Sequence, residues 1–333
     1  MEYGDVLVLT EHELRKLVSL NERTVAQIEQ GFAELEKGNA VMPAVMTLQL
    51  PDAGGAVDVR SGYVKGLPSI AVKTASGFFS NPDLGLPSCT SQMLLLSAEN
   101  GLLLAVLLDN GYLTEVRSAA AGAIAAKYMA PRFAETVGVI GSGIQARMQL
   151  EALKLERSFK RVYVYSTDSD ERTEIFLSDM KKKLKVPVEQ AESAEAVVAK
   201  SSIVVTTTPS REGYLRPEWV HPGLHITAMG SDSADKQELV PGVLRTADII
   251  ACDLRSQCIR IGELRGGIEQ GIISDETPIQ ELGAIILGRQ SGRVDEDQVT
   301  LCDLTGTGVQ DTMIAMLAYE LANEKEVGLR IKN

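Results

Sequence analysis

The sequence contains few residues of the types that build metal sites and disulfides. Among its 333 residues there are only four cysteines and three histidines. The cysteines form no C-x-x-C pair and are expected to be reduced and structural; they are Cys89, Cys252, Cys258 and Cys302. His221 and His225 are four residues apart, but the Pro-Gly pair between them breaks the helix that would bring two imidazoles together. We therefore expect no metal site and no acid–base chemistry that depends on histidine.

The chain also lacks long apolar runs and an excess of positive charge. No apolar run approaches the length of a membrane span, and 33 Lys and Arg against 45 Asp and Glu leave a net charge of −12. This balance argues against nucleic acid and anionic membranes as partners, but a local basic pocket for a small anionic substrate remains compatible with it. The first residues, Met-Glu-Tyr-Gly-Asp, lack the features of a signal peptide, so we expect a cytoplasmic protein.

The strongest positive signal is the segment from Thr136 to Ala146. Its first five residues contain the apolar, β-branched Val137, Val139 and Ile140, a run that is typical of a buried parallel strand. Gly141, Gly143 and Ala146 then follow in the spacing G-x-G-x-x-A, and residues with helical spacing come next. This strand–turn–helix context is the one that a dinucleotide-binding fingerprint requires, with the pyrophosphate at the positive end of the helix.

The spacing of apolar residues predicts two domains in an α/β protein. Residues 1–118 contain short runs separated by Pro/Gly turns, which predict an α+β domain with a mixed sheet of hairpins. Strands and helices then alternate, which predicts a doubly wound Rossmann domain over residues 119–309. The segment Gly308–Asn323 is predicted to be an amphipathic helix that returns to the first domain, so that residues from about 310 to 333 complete it.

Four charged residues are candidates for chemistry. Lys73 lies in the apolar strand Ile70–Thr74, where an ammonium needs a carboxylate partner or a substrate. Arg117 lies at the start of an Ala-rich helix, where it either captures a carboxylate or lies on the surface. Arg60 is a weaker candidate that can equally face solvent. Asp232 follows a strand at its carboxyl end, where it either transfers a proton or caps a turn.

An ordered set of segments covering nearly the whole chain resembles the ornithine cyclodeaminase/μ-crystallin family of NAD(P)-dependent enzymes. The segments are Val72-Lys73 with Asn81-Pro82, Leu113–Ala121, Gly141–Ala146, Val205–Pro209, Gly230–Asp232 with Lys236–Leu239, and Thr305–Asp311. Three more segments resemble the branch of the family associated with ectoine utilisation: Asp58–Tyr63, Gly77–Asn81 and Leu107–Leu113.

The resemblance implies a homodimer built through the N-terminal domain, which also binds the substrate. It implies that Lys73 and Arg117 bind the substrate carboxylate, that Lys73 also takes part in catalysis, and that Asp232 is the acid/base residue. It also implies that Thr114, Ser118 and the loop Thr206–Pro209 contact the cofactor. Together with the glycine loop and the ends of two further strands, the predicted cofactor residues are Thr114, Ser118, Gly141, Ser142, Gly143, Ile144, Gln145, Ala146, Ser166, Thr167, Asp168, Thr206, Thr207, Thr208, Pro209, Met229, Gly230 and Ser231.

Members of the family share hydride exchange between a nicotinamide and an amino or imino carbon. The resemblance therefore implies a C–N oxidoreductase acting on an imino or amino acid, as a reductase or a dehydrogenase. Two alternatives stay open: a cyclodeaminase that expels ammonia with catalytic NAD, and a crystallin-like protein that binds its ligands without turnover. The presence of Lys73, Arg117 and Asp232 favours an enzyme.

The chain departs from ornithine-specific members at two positions. It has Pro43-Ala44 where they carry Pro-Arg, and by position it has Arg60 where they carry a Glu that meets the distal ammonium. An arginine repels an ammonium. We therefore hypothesise that Arg60 lines the site and that the substrate has a second carboxylate or a neutral tail. Efficient turnover of ornithine to proline, without reduction of dicarboxylic or cyclic imines, would contradict this hypothesis.

The choice between NAD and NADP is open in the sequence. Ser166 stands where an acidic residue selects NAD, and this small polar residue favours NADP. Asp168 follows two positions later, and Arg172 is available to meet a 2′-phosphate. The expected cofactor is therefore NAD(P)(H), without a choice between the two.

Overall fold

The computed structural model describes residues 4–78 and 80–332. Residues 1–3 of the N-terminal segment, Phe79 of the segment Gly77–Asn81, and Asn333 lie outside the described residues. The strands are β1 (Asp5–Thr10), β2 (Ala40–Val41), β3 (Met46–Leu50), β4 (Gly55–Val64), β5 (Ser69–Phe78), β6 (Cys89–Ser97), β7 (Leu103–Leu108), β8 (Thr136–Ile140), β9 (Arg161–Tyr165), β10 (Val188–Gln190), β11 (Ile203–Thr206), β12 (His225–Ala228), β13 (Ile249–Cys252), β14 (Gln280–Glu281), β15 (Thr300–Asp303) and β16 (Leu329–Lys332). The α-helices are α1 (Glu11–Leu17), α2 (Glu22–Glu36), α3 (Tyr112–Met129), α4 (Ile144–Glu156), α5 (Asp170–Leu184), α6 (Ala194–Ala199), α7 (Arg255–Ile261), α8 (Glu263–Glu269), α9 (Leu282–Ile286) and α10 (Gly308–Glu324).

The chain forms two compact units, and unit 1 contains the described residues through Arg117 together with those from Thr307 onward. Its sheet has the strand order β16-β1-β7-β6-β5-β4-β2, and β3 pairs with β4 beside this path. Strands β3 to β7 pair antiparallel with their neighbours, whereas β1 joins β7 in parallel. Runs of alternating residues between Pro/Gly turns produce such a sheet of hairpins, as the sequence predicts.

Helix α10 belongs to unit 1 and is not the amphipathic helix that its sequence predicts. Residues Gly308 to Ala318 are all buried, because the helix contacts both α2 and the strands β4 and β5. Thr312 fixes the helix on the sheet: its Oγ1 accepts a hydrogen bond from the Ala71 N–H at 3.0 Å and donates to the Gly62 carbonyl at 2.7 Å. The prediction of a polar face was wrong because protein covers the helix on more than one side.

Unit 2 comprises Ser118–Gly306 and contains a parallel sheet. The strand order is β10-β9-β8-β11-β12-β15-β13-β14, and every adjacent pair is parallel. The order reverses between β8 and β11. Ligands of open α/β sheets bind beside the carboxyl ends of the strands at such a reversal, so the loops that follow β8 and β11 are where a ligand site is expected.

Apolar side chains cover both faces of this parallel sheet. Val137 and Val139 of β8 belong to one apolar cluster, together with residues of α4 and α5. Ile140 of β8 and Val204 of β11 belong to another, together with residues of α6, α7 and α8. Alternate side chains of a strand point to opposite faces, so helices pack on both sides and the predicted doubly wound fold is confirmed.

None of the helices in the described residues has the length and apolar character needed to cross a membrane.

Candidate active site

A buried cluster of charges in unit 1 joins β5, α3 and α10. Lys73 of β5 and Arg117 of α3 both contact Asp311 of α10. The Lys73 Nζ lies 2.9 Å from each carboxylate oxygen, and the Arg117 Nε lies 3.1 Å from Oδ1. The residues are 2%, 5% and 0% exposed, respectively. Two buried cations therefore share one buried carboxylate.

Arg60 adds a third cation on the same face of the sheet. Arg60 of β4 lies directly opposite Lys73 of β5 in the antiparallel register, and side chains at opposite positions point to the same face. Arg60 is buried, and its Nη2 lies 3.4 Å from Oδ2 of the half-buried Asp58. The structure thus brings together Arg60, Lys73 and Arg117, the three cations that the sequence offers as substrate ligands.

The electrostatics of this cluster favour an anionic ligand. Burial lowers the pKa of Lys73 to about 8; Asp311 opposes this shift, while Arg117 and Arg60 add to it. Burial by itself would raise the pKa of Asp311, but the charges of Lys73, Arg117 and Arg60 hold it below its usual value. Asp311 is therefore ionised at neutral pH. A group of cations around one carboxylate attracts a further carboxylate, which a guanidinium binds with directed hydrogen bonds.

Asp109 fixes the start of the helix that carries Arg117. Its Oδ2 accepts a hydrogen bond from the Leu113 N–H at 2.9 Å, in the first turn of α3. This bond satisfies one of the amides that a helix leaves without a partner at its N-terminus. Burial raises the pKa of Asp109 to about 6.

In unit 2 the loop after β8 has the geometry of a dinucleotide-binding turn. Gly141 has φ of +114°, and a Cβ at this position would lie 2.6 Å from the Thr207 Oγ1, so the turn requires glycine. Helix α4 begins after Gly143, which has no side chain to cap it, whereas α2, α5 and α10 are capped by Asn, Ser or Thr. The uncapped first turn of α4 fits the pyrophosphate of a dinucleotide.

Ser142 connects this glycine loop to the end of β9. Its Oγ lies 2.8 Å from the Ser166 Oγ and donates to the Asp168 Oδ2 at 2.8 Å. The Nη1 of Arg172 lies 3.4 Å from the other Asp168 oxygen. The Asp168 carboxylate therefore lies beside the glycine loop, although Asp168 comes two positions after the place where an acidic residue is usual in this fold.

The loops after β11 and β12 carry the other candidates of unit 2. Thr207 bonds back to β8, with its amide and hydroxyl 3.0 and 3.1 Å from the Ile140 carbonyl. Thr206 is fully buried, and its hydroxyl donates to Glu238. Asp232 is 48% exposed at its side chain and accepts a hydrogen bond from the Lys236 Nζ at 2.7 Å. Asp232 therefore belongs to an ion pair within its own turn.

The remaining cofactor candidates divide by burial. Thr114 is half-buried in unit 1, with its Oγ1 3.3 Å from the Ser91 Oγ. The exposed candidates of unit 2 are Gly143, Ile144, Thr167, Asp168 and Pro209. The partly exposed ones are Gly141, Ser142, Gln145, Ser166, Thr207, Thr208, Met229 and Gly230. The buried ones are Ser118, Ala146, Thr206 and Ser231. Only the exposed and the partly exposed candidates present atoms to a ligand. The buried candidates shape the backbone of the loops that carry the exposed ones.

Three of the four cysteines and the buried histidine belong to the core. All four cysteines are free, and Cys252, Cys258 and Cys302 are buried. His225 is fully buried between the hydroxyls of Thr300 and Thr227, and burial lowers its pKa to about 3, so its imidazole is neutral. Over residues 4–78 and 80–332, no three His, Cys, Asp or Glu side chains are arranged to hold a metal ion.

Several buried carboxylates are not among the residues predicted from the sequence, and three of them are Asp311, Glu238 and Glu263. Asp311 and Glu238 lie within segments that carry the family resemblance, and Glu263 lies outside them. All three are 0% exposed. Only Asp311 gives a signal in the sequence, as an acidic residue beside the apolar run from Met313 to Ala318, since a buried carboxylate needs cations or several hydrogen-bond donors around it.

Known proteins resemble this chain over nearly its full length. A family model described as the ornithine cyclodeaminase/mu-crystallin family matches residues 5–326. An uncharacterized cyclodeaminase of Sinorhizobium fredii is 43% identical over 322 residues, which cover 96% of this chain and 97% of that protein. The structure of Thermococcus litoralis Δ1-pyrroline-2-carboxylate reductase in complex with NADH and L-proline has a TM-score of 0.93 at 29% identity, covering 98% of this chain and all of that one. An archaeal alanine dehydrogenase dimer with bound NAD has a TM-score of 0.91 at 33% identity, covering 98% and 99% of the two chains. These solved relatives are enzymes, which confirms the prediction that the chain is an enzyme.

Proposed function

Because the chain belongs to the ornithine cyclodeaminase/mu-crystallin family, we propose that it is an NAD(P)(H)-dependent oxidoreductase of C–N bonds. Its substrate is an imino or amino acid, and hydride moves between the nicotinamide and the α-carbon. The observation that carries this proposal is the pair of buried cations, Lys73 and Arg117, on the single carboxylate of Asp311. Such a cluster holds the substrate carboxylate, and the glycine loop of unit 2 holds the dinucleotide.

In the reductive direction the imino carbon accepts a hydride, the nitrogen accepts a proton, and the C=N double bond becomes a single bond. A bound nicotinamide supplies the hydride. Lys73 and Arg117 neutralise and orient the substrate carboxylate, which fixes the α-carbon for transfer. Asp232 is proposed to hold and move the proton, with its carboxylate oriented by Lys236.

Arg60 narrows the substrate class. It lies on the same face of the sheet as Lys73 and contributes a positive charge to the cluster. A substrate with a distal ammonium meets repulsion there, whereas a neutral tail or a second carboxylate does not. This favours cyclic imines, small neutral amino acids and dicarboxylic imines over ornithine.

A steady-state assay tests the proposed function. The purified protein is mixed with NADH or NADPH and a panel of α-imino acids, and the reduced nicotinamide is followed by its absorbance. Continuous oxidation of the cofactor with formation of the amino acid supports the oxidoreductase. The name of the Sinorhizobium relative keeps a cyclodeaminase as the second candidate; that reaction releases ammonia from a diamino acid without net change in the nicotinamide. A protein that binds its ligands without turnover gives neither signal.

We further propose that the cofactor is NAD(H), because Asp168 lies beside the glycine loop. A carboxylate at the end of the second strand accepts hydrogen bonds from a ribose and repels a 2′-phosphate. The change Asp168→Ser is expected to lower the ratio of kcat/KM for NADH to that for NADPH by about tenfold or more, the equivalent of about 1.4 kcal/mol.

Glu171→Gln is the matched control for this change. Glu171 is also exposed and acidic and lies in the first turn of α5. Its replacement removes the same charge at a greater distance along the chain from the glycine loop and is expected to leave the ratio unchanged. An unmodified protein that prefers NADPH, or an equal shift in both variants, argues against Asp168 as the selecting residue.

The proposed functional unit is a homodimer formed through unit 1. The sheet face opposite Lys73 carries apolar residues at alternate positions of β3, β6 and β7. They are 40–55% exposed: Met46, Leu48, Leu50, Leu94 and Leu108. Exposed apolar side chains gathered on one face of a sheet are typical of a surface that binds another protein, and the archaeal relative is a dimer. A second copy of the chain is the occupant that we propose.

Leu48→Glu tests this dimer. A carboxylate buried without a partner in an apolar interface weakens association, so we expect the dissociation constant to rise by on the order of 100-fold, about 2.7 kcal/mol. Light scattering at several protein concentrations measures it. Leu86→Glu is the control, since Leu86 is 54% exposed but lies outside the strands of the sheet. A monomeric unmodified protein, or a dimer that Leu48→Glu leaves intact, contradicts the proposal.

A further inference from the structure

The buried side chain of Glu238 lies where the loops after β11 and β12 begin. One oxygen, Oε2, accepts hydrogen bonds from the Thr206 hydroxyl at 2.5 Å and the Gly230 N–H at 2.8 Å. The other, Oε1, accepts from the Thr208 N–H at 2.6 Å, the Thr208 hydroxyl at 2.7 Å and the Tyr214 hydroxyl at 3.0 Å. Five donors therefore converge on one carboxylate that is 0% exposed.

Two of these donors come from the backbone of different loops. The Thr208 N–H belongs to the loop after β11, and the Gly230 N–H belongs to the loop after β12. Backbone N–H groups only donate, so each oxygen of Glu238 acts as an acceptor. The two loops also touch directly, since a Cβ on Gly230 would lie 2.2 Å from the Thr208 carbonyl oxygen. Glu238 is thus the bridge that holds the two loops against each other.

A second buried carboxylate holds this bridge in place. The Oε1 of Glu263 accepts from the Glu238 N–H at 2.8 Å, and its Oε2 accepts from the Leu239 N–H at 2.9 Å and from the Gln237 side-chain amide. Glu263 is also 0% exposed. A buried polar network in which each carboxylate has several donors is rigid and sets a single local geometry.

We propose that Glu238 is a positioning residue for hydride transfer. It fixes the Thr206–Pro209 loop relative to the turn that carries Asp232, and it touches neither the substrate nor the reacting atoms. This rests on the proposed function, in which the first loop contacts the nicotinamide half of the cofactor and Asp232 moves the proton. The adenosine half is assigned to the glycine loop and Asp168, whose described hydrogen bonds do not involve Glu238.

The change Glu238→Gln is expected to affect binding of the nicotinamide half of the cofactor but not binding of the adenosine half. A glutamine has one carbonyl oxygen and one amide nitrogen, so it accepts from only one of the two backbone N–H groups and turns a donor towards the other. We expect the dissociation constant of ADP-ribose to stay within about twofold, whereas that of NADH rises about tenfold and kcat falls about 100-fold, the effect of a misplacement near 1 Å. The primary isotope effect with C4-deuterated NADH rises, because hydride transfer becomes the slow step.

Tyr214→Phe is the matched control. It removes one of the five donors but leaves both backbone bonds, so kcat and NADH binding are expected to stay within about threefold. If Glu238→Gln does not fold, Glu238→Asp replaces it; the shorter side chain keeps the charge but withdraws both oxygens, and the same separation between ADP-ribose and NADH is expected.

The outcomes distinguish this inference from the proposed function. An unmodified protein that binds neither ADP-ribose nor NADH contradicts the proposed function itself. An unmodified protein that binds both, together with a Glu238→Gln variant of unchanged NADH affinity and unchanged kcat, overturns the positioning role alone. Equal loss of ADP-ribose and NADH affinity in the variant also overturns it, because that pattern is what a purely structural residue produces.

Discussion

Replacing Lys73 with Met is expected to lower kcat/KM by about 1,000-fold or more, with no change in NADH affinity. The substitution keeps the length of a buried side chain in β5 but removes the ammonium that, in our account, orients the substrate carboxylate. A loss of this size corresponds to about 4 kcal/mol of transition-state stabilisation, which is reasonable for a buried charge-assisted contact that also positions the α-carbon. NADH affinity is unaffected because the glycine loop belongs to unit 2.

Lys65→Met is the control for this variant. Lys65 follows β4 in the same unit but is exposed, and its loss is expected to leave kcat/KM within about twofold, as surface substitutions usually do. Full activity of Lys73→Met contradicts the assignment of Lys73, and unchanged ligand binding with an unchanged biological effect supports a binding protein without turnover.

The pH dependence of the unmodified protein follows from the same ammonium. Its pKa in the folded protein is about 8, below its ordinary value of 10.5, because burial disfavours the charge. As the pH rises through 8, the free protein loses the Lys73 charge, and the affinity for a carboxylate substrate is expected to fall. The stability moves in the opposite direction: the cost of burying the ammonium is fully present below pH 8 and is relieved between pH 8 and 10.5.

Asp311→Asn is expected to lower the free energy of unfolding of unit 1 by about 3–5 kcal/mol. The amide occupies the same space, but it leaves Lys73 and Arg117 buried without the carboxylate that they share. Release of the Lys73 proton limits the loss, because its pKa is already lowered. Asp311 therefore stabilises unit 1 by neutralising both buried cations.

This loss must be measured in unit 1 itself. The only tryptophan, Trp219, lies in unit 2, so its fluorescence does not report on the cluster. Hydrogen exchange of the β5 amides does. The double variant Lys73→Met with Asp311→Asn removes one of the unpaired cations and is expected to recover at least about 1 kcal/mol. If Asp311→Asn exchanges like the unmodified protein, the cluster does not hold unit 1 together.

Much of unit 2 can be predicted from local sequence. The strands β8, β11 and β13 are short runs dominated by Val and Ile, and their buried parallel environment on both faces needs no knowledge of distant residues. The glycine loop can also be predicted from local sequence, because the positive φ of Gly141 is a local backbone conformation that favours glycine. Family resemblance then supplies the identity of this unit, which pattern alone does not.

The errors and omissions concern contacts between distant parts of the chain. The polar face predicted for α10 is absent from Gly308 to Ala318, because α2 and the sheet cover this part of the helix. The strands β10, β14 and β16 have two to four residues and lie at the ends of the sheets, so only their pairing partners define them. Asp311 meets Lys73 across 238 residues, a separation over which no spacing rule operates.

Partial signals explain the remaining positions of the candidate site. Lys73 was predictable because a lysine within an apolar strand demands a partner, although the identity of that partner was not. Asp168 appeared displaced by two positions, since the sequence does not reveal that Ser142 reaches across to its carboxylate. The role of Glu238 becomes visible only in the structure, where hydrogen-bond donors from two different loops reach its carboxylate.

The central claim, hydride transfer to the α-carbon of an imino acid, is tested most directly with NADH carrying deuterium at the transferred C4 position. The protein is incubated with this cofactor and, separately, with a cyclic ketimine, with pyruvate and ammonia, and with oxaloacetate and ammonia, and the amino acid products are analysed by mass spectrometry. We expect one product to contain deuterium at its α-carbon, one equivalent for each NADH oxidised. Absence of deuterium from every product would contradict the account, and release of ammonia when a diamino acid and catalytic NAD replace these substrates would identify a cyclodeaminase instead.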